Sequence, residues 1–85
     1  MAVSEDEMAA ALMALAEARG AEKTFCPSEA ARRLAEDWRP LMPELRRIAA
    51  TLPLSATQKG VPVDPRRARG PIRLALDQSR AGSRG

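Results

Sequence analysis

The chain contains no histidine and no tyrosine, one cysteine (Cys26), and only two aromatic residues, Phe25 and Trp38. Each shortage closes a route. Without histidine no nucleophile–histidine pair can form, and one cysteine is too few ligands for a tetrahedral zinc site. A lone cysteine also excludes an internal disulfide, which suits a reducing compartment. The longest apolar stretch, Met8 to Ala16, falls well short of the roughly 20 residues that cross a bilayer. The first residues, Met1-Ala2-Val3-Ser4-Glu5-Asp6-Glu7, are acidic where a secretory signal would be basic. Carboxylate pairs occur at Glu5/Glu7 and Glu36/Asp37, but each falls at a helix start, where capping accounts for it. The expectation is a cytoplasmic protein with no membrane partner, no metal, no cofactor and no catalytic centre.

What is present suits one small, mainly helical domain. The chain has 85 residues, and Leu, Ile, Val, Met and Ala must build its core. A chain of this size buries a modest share of its surface, so a homodimer would be an ordinary way to enlarge the core. The net charge of +3 conceals a division. Residues 1–37 hold four cations and eight anions. Residues 38–73 hold eight cations (Arg39, Arg46, Arg47, Lys59, Arg66, Arg67, Arg69, Arg73) against Glu44 and Asp64. One acidic and one basic face are expected, and binding a polyanion is the usual use of the basic one. An arginine-rich composition would produce the same division without any ligand.

The helices announce themselves locally. Ser4 and Glu7 have the spacing of a capping box, Val3 and Met8 that of the hydrophobic staple, and Arg19-Gly20 reads as a stop. Between them Met8, Ala11, Leu12 and Leu15 recur with helical period, which predicts a helix at 5–19. Lys23-Thr24-Phe25 is β-prone and long enough for one strand pairing. A second helix is expected at about 27–35, with Pro27 at its first position, Glu29 reaching back to the Cys26 amide, and Ala30, Ala31 and Leu34 facing inward. Asp37 would cap a third segment, which Pro40 and Pro43 complicate. Either a turn at 38–41 precedes a helix starting near Met42, or one helix kinks at Pro43. That helix is expected to run to 52, with Leu41, Leu45, Ile48 and Leu52 on its apolar stripe and Arg46 and Arg47 off it.

The period then changes to two. Leu54, Ala56 and Gln58 alternate with Ser55, Thr57 and Lys59, and Ile72, Leu74 and Leu76 alternate with Arg73, Ala75 and Asp77, as in two half-buried strands. The basic stretch 60–71 between them, rich in Gly and Pro, reads as their connecting loop. Helix, short strand, helix, turn, helix and hairpin form an α+β winged helix-turn-helix with a two- to three-stranded wing. It is expected to occupy 1–77, with a disordered tail at 78–85.

Three ordered motifs resemble those of a known family. They are Lys23-Thr24-x-Cys26-Pro27-Ser28-Glu29, then Trp38-Arg39-x-Leu41-Met42-Pro43, then Thr57-Gln58-Lys59-Gly60 with Val63-Asp64-Pro65 and Ala68-Arg69-Gly70-Pro71-Ile72-Arg73. The family consists of short bacterial proteins classed as a domain of unknown function. The resemblance covers about residues 8–76 and implies a winged-helix fold, with no activity attached. Residues 49–56 are compressed relative to its members, which usually have a longer stretch with a glycine turn before the Thr-Gln-Lys-Gly strand, so a shorter or displaced first wing strand is expected.

On this basis the candidate nucleic-acid contacts are Arg39, Arg46, Arg47, Gln58, Lys59, Arg66, Arg67 and Arg69. Arg46 and Arg47 would project from a recognition helix and read base edges, while Lys59, Arg66, Arg67 and Arg69 on the wing would touch phosphates. The partner expected is duplex DNA. The alternative is a protein-binding adaptor or dimerisation module, since winged helices also serve that purpose. Thr57 and Gln58 equally suit the hydrogen bonding of a hairpin end. Cys26 fits a buried small hydrophobe better than a redox sensor, and Trp38 fits the core better than a base-stacking platform. Asp64 is expected to accept local backbone hydrogen bonds and pair with Arg67 or Arg69.

Overall fold

The computed structural model describes residues 3–77, so the tail expected at 78–85 lies outside the described residues. Helix α1 spans Glu5–Arg19. Its start is fixed as the spacing predicts: Ser4 Oγ accepts from the Glu7 amide at 3.1 Å, and Glu7 Oε1 accepts from the Ser4 amide at 2.9 Å. Gly20 ends it with φ of 80°, a backbone angle that costs glycine nothing, and its N–H bonds the Ala16 carbonyl. Met8, Leu12, Leu15 and Ala16 are buried. Ala11, expected on that stripe, is only partly covered, and Ala16 takes the inner place.

Phe25 forms the link between the helical and sheet parts. Its N–H and C=O both bond Leu74 at 2.7 Å, and its side chain is fully buried. Helix α2, Pro27–Leu34, follows directly. Glu29 accepts from the Cys26 amide at 3.2 Å, the half-box expected, and its second carboxylate oxygen accepts from Arg19 at 2.6 Å. That ion pair ties the end of α1 to the start of α2. The Arg19 guanidinium, followed by the Cys26 amide, holds the Glu29 carboxyl below the usual carboxylate range against a desolvation effect of opposite sign. Glu29→Gln, whose amide oxygen can still accept from the Cys26 amide, is therefore expected to cost about 1 kcal/mol at neutral pH, the scale of one weakened charge-assisted hydrogen bond. Because the folded pKa is depressed, the contribution is complete above the unfolded value and disappears as pH falls through the folded one. Thermal melts of both proteins should accordingly differ at pH 7 and converge in acid. Equal melts at pH 7 would show that the pair is idle.

The two prolines of the third segment resolve in favour of a separate turn. Arg39–Leu41 form one 3-10 turn whose Leu41 amide bonds Trp38, and helix α3 runs Met42–Ala49 with Pro43 in its first turn. There the missing proline N–H removes no helical bond. Trp38 rather than Asp37 precedes the turn. The helix is also shorter than the predicted 42–52. Thr51 bonds the Ile48 carbonyl through both its amide and its hydroxyl, and Pro53 turns the preceding residues away from helical geometry. Leu45 and Ile48 are buried as expected, while Leu41 and Leu52 pack on the core only in part.

Strands β1 (Leu54–Gln58), β2 (Val61–Pro62) and β3 (Arg73–Leu76) form an antiparallel sheet in the order β2-β1-β3. The fold is thus α+β and mainly helical, with three helices and a three-stranded sheet. Pairing runs from Leu54 opposite Leu76 to Thr57 opposite Arg73 on one side of β1. On the other side Thr57 faces Pro62 and Gln58 faces Val61. The stretch 60–71, expected to be a single loop, is therefore divided by a strand. Lys59 and Gly60 turn the chain with φ of 54° and 81°, the paired positive angles of a tight hairpin turn. β2 is two residues long and carries a proline, so no alternating pattern marks it. The three helices pack against one another and α1 also lies on β3, enclosing Met8, Leu12, Leu15, Phe25, Leu45, Ile72 and Leu74.

Candidate nucleic-acid interface

Downstream of β2 the chain makes a compact turn before β3. The Asp64 carbonyl accepts from the amides of Arg67 and Ala68, and Asp64 Oδ1 accepts from the Arg66 amide at 2.9 Å. Val63 and Ala68 anchor this loop to the core. The Asp64 carboxylate pairs with the Arg66 side chain at 3.2 Å and approaches Arg67 at 3.9 Å. Arg66 rather than Arg69 is thus its main partner, because the Asp64 turn folds the residue two positions on back over the carboxylate. Arg66, through side chain and amide, keeps the Asp64 carboxyl below its ordinary range, and Asp64 in turn raises the Arg66 pKa.

The second half of the loop is clamped from outside. Arg46 on α3 donates to the carbonyls of Ala68, at 2.6 Å, and Gly70. Gln58 at the end of β1 donates to the carbonyls of Arg69 and, at 3.2 Å, Pro71. Four consecutive carbonyls, 68 to 71, therefore accept from two side chains. Gly70, with φ of 84°, makes the reversal between them possible. A cleft of about 480 Å³ remains between this loop and the first turn of α3, edged by Met42, Pro43, Arg46, Arg66 and Arg69.

The eight expected contact residues consequently fall into different environments. Arg46, expected on an exposed helix face, is half-buried and bound to the loop. Arg47 is exposed but bonds Glu44 and, at 2.5 Å, Glu5, and both carboxylates raise its pKa while Arg47 lowers that of Glu44. Neither guanidinium projects freely from α3. Gln58 takes the hairpin-end role rather than pointing outward. Arg39 stacks over Trp38 at 4.7 Å, with Arg32 over the same ring at 4.9 Å, and lies apart from the clamp and the loop. Lys59 at the hairpin tip and Arg69 on the loop are exposed, and neither has a side-chain partner among the described residues. Arg67 is 88% exposed, with only the distant Asp64 beside it. The structure thus brings Arg46, Gln58, Arg66, Arg67 and Arg69 to one loop and leaves Arg39 apart.

Arg73 donates to the hydroxyl and the carbonyl of Thr24, at 3.0 and 3.1 Å, so its charge fastens β3 to the segment before Phe25. Trp38 is half-buried against the core with two guanidinium groups on it, which agrees with packing and leaves its ring already covered. Cys26 is half-buried rather than buried, since it caps α2 from outside the core, and Ser28 Oγ donates to its sulfur at 3.1 Å. No helix among the described residues is long and apolar enough to cross a membrane.

Missed by sequence reasoning were Arg32 beside Trp38 and Glu5 beside Arg47. Glu44 and Arg47 lie three apart on one helix, a spacing that does signal a pair. Glu5 and Arg47 are 42 positions apart, and no local signal joins them.

These features define a small α+β domain of three helices and a three-stranded antiparallel sheet, with a basic loop pinned to the third helix. The chain belongs to the family described as Protein of unknown function (DUF3253), whose model matches residues 5–77. That span includes every residue of the clamp and the loop. A comparison with curated proteins finds no match.

Proposed function

We propose that the domain is a winged-helix module that binds duplex DNA, as a small cytoplasmic protein of the transcription-regulator type. The order of elements supports the fold reading: α1, the Phe25 pairing, α2, α3 and then a hairpin whose strand β1 lies between β2 and β3. One observation carries the DNA reading. The loop that would form the wing is pinned by hydrogen bonds from Arg46 and Gln58, while Arg69 is exposed with no acid partner among the described residues and Arg67, 88% exposed, meets only the Asp64 carboxylate at 3.9 Å. A fixed array of outward cations suits phosphates, because little side-chain and loop freedom is lost on binding.

Mobility-shift titration of the whole chain with a generic duplex at two salt concentrations tests this. Affinity should fall steeply as salt rises. Absence of binding at low salt and micromolar protein would reject the reading in favour of a protein-binding module.

Asp64 sharpens the test. Asp64→Asn retains an oxygen to accept the Arg66 amide but removes the charge that neutralises Arg66. One more cation then becomes available, so the salt slope should steepen by about one and affinity at 0.1 M salt should rise by up to about tenfold. Unchanged affinity and slope would show that Arg66 does not face the DNA.

A further inference from the structure

We infer that this site reads the sugar–phosphate backbone and no base edges, and that Arg46 and Gln58 are positioning residues for the loop. The inference rests on the DNA reading above. Recognition of a base requires a side chain with free donors or acceptors on the element that enters the groove. On α3 each polar side chain is already engaged in contacts within the protein among the described residues. Its polar side chains away from the core are Glu44, Arg46 and Arg47. The Arg46 fork spans the Ala68 and Gly70 carbonyls, and the Arg47 fork lies between Glu44 and Glu5. Glu44 is held by Arg47, and an acid on this face opposes entry into a polyanion's groove. Pro43 is exposed and offers no donor, and the Thr51 hydroxyl beyond the helix bonds Ile48.

The commitment of Arg46 is hard to reverse. Withdrawing it leaves the Ala68 and Gly70 carbonyls without that donor and the second half of the loop held by Gln58 alone. The loop itself has the opposite character. With its carbonyls at 68–71 turned onto the clamp, it shows the duplex guanidinium groups from Arg67 and Arg69 and the ammonium of nearby Lys59. Cations on a proline- and glycine-rich turn follow phosphates, which are the same in every sequence. Gln58, which has no charge, contributes only through the loop it holds.

Two measurements on the whole chain test this. In selection from a random duplex pool no motif should emerge, and unrelated duplexes should differ in affinity by less than about fivefold, the smallest usual effect of one wrong base pair. Gln58→Ala and Arg46→Lys should each weaken binding by about fivefold, the scale of one lost hydrogen bond, in protein that circular dichroism shows to be folded. Arg46→Lys preserves the charge but not the fork, so a merely electrostatic Arg46 would be rescued by lysine.

A selected motif that Arg47→Ala erases would overturn the backbone-only reading while leaving DNA binding intact. Wild-type affinity in both Gln58→Ala and Arg46→Lys would overturn the positioning role. Failure of the wild-type chain to bind any duplex would instead remove the DNA reading beneath both.

Discussion

Phe25→Ala is expected to lower stability by about 3–5 kcal/mol, the usual cost of emptying a phenylalanine site in a core. Phe25 has no exposed surface, and it is the single phenylalanine of the chain. It also holds a particular place. Its backbone pairs with Leu74 in both directions, so its side chain enters the core from a residue that, among the described residues, joins the helical half to β3 by main-chain hydrogen bonds. No neighbour is large enough to fill the gap, since the surrounding core is Leu, Ile, Met and Ala. A domain of this size has a total stability of about 5–10 kcal/mol, so the variant should unfold at much lower urea concentration and temperature. Trp38→Ala, although it removes a larger ring, should cost less because that ring is half-buried. Urea titration followed by circular dichroism ranks the two. A larger loss for Trp38→Ala would show that the core is centred on the 3-10 turn instead.

Replacing Arg66, Arg67 and Arg69 together with alanine is expected to reduce the salt slope of DNA binding by about two rather than three. On the proposed DNA reading, Arg66, paired with Asp64 at 3.2 Å, would add little counterion release, whereas Arg69, with no acid partner among the described residues, and Arg67, which meets Asp64 only at 3.9 Å, would supply most of it. A change of two in slope corresponds to about a hundredfold loss of affinity at 0.1 M salt. The loss should be equal for all duplexes. Stability should hardly change, because the clamp uses backbone carbonyls of the loop and none of these three side chains. The measurement is a series of titrations from low to moderate salt, with a thermal melt as control. Undiminished binding would place the interface elsewhere, with Arg32 and Arg39 around Trp38 the next region to test.

The same geometry revises what α3 contributes. From the sequence alone, Arg46 and Arg47 are equivalent cations off the apolar stripe, each cheap to remove. In the structure Arg46 stabilises a loop more than twenty residues away, and Arg47 bridges α1 and α3 through Glu5. Arg47 is exposed on both sides of that bridge, where ion pairs contribute little.

The sequence by itself determined the elements whose causes lie within a few residues. The Ser4–Glu7 box, the Gly20 stop, the Glu29 half-box and the tolerance of Pro43 in a first turn are contacts between near neighbours. Spacing therefore fixes α1 completely and the start of α2, whereas the start of α3 stays open between a separate turn and a kink at Pro43 until the fold selects the turn. The apolar periods of Leu45 with Ile48, Leu54 with Ala56 and Ile72 with Leu74 likewise select the buried faces before any partner is known. Tertiary structure alone decided the destinations of the long polar side chains and the second edge of the sheet. β2 exists because β1 offers free backbone groups beside it, and two residues carry no period of their own. An arginine's fork reaches whatever carbonyl or carboxylate the fold brings within its length, and Ala68, Gly70 and Glu5 lie far from Arg46 and Arg47 along the chain. Charge could be counted from the sequence, but which charges remain free to meet a ligand depended on contacts formed only after the loop had docked on α3.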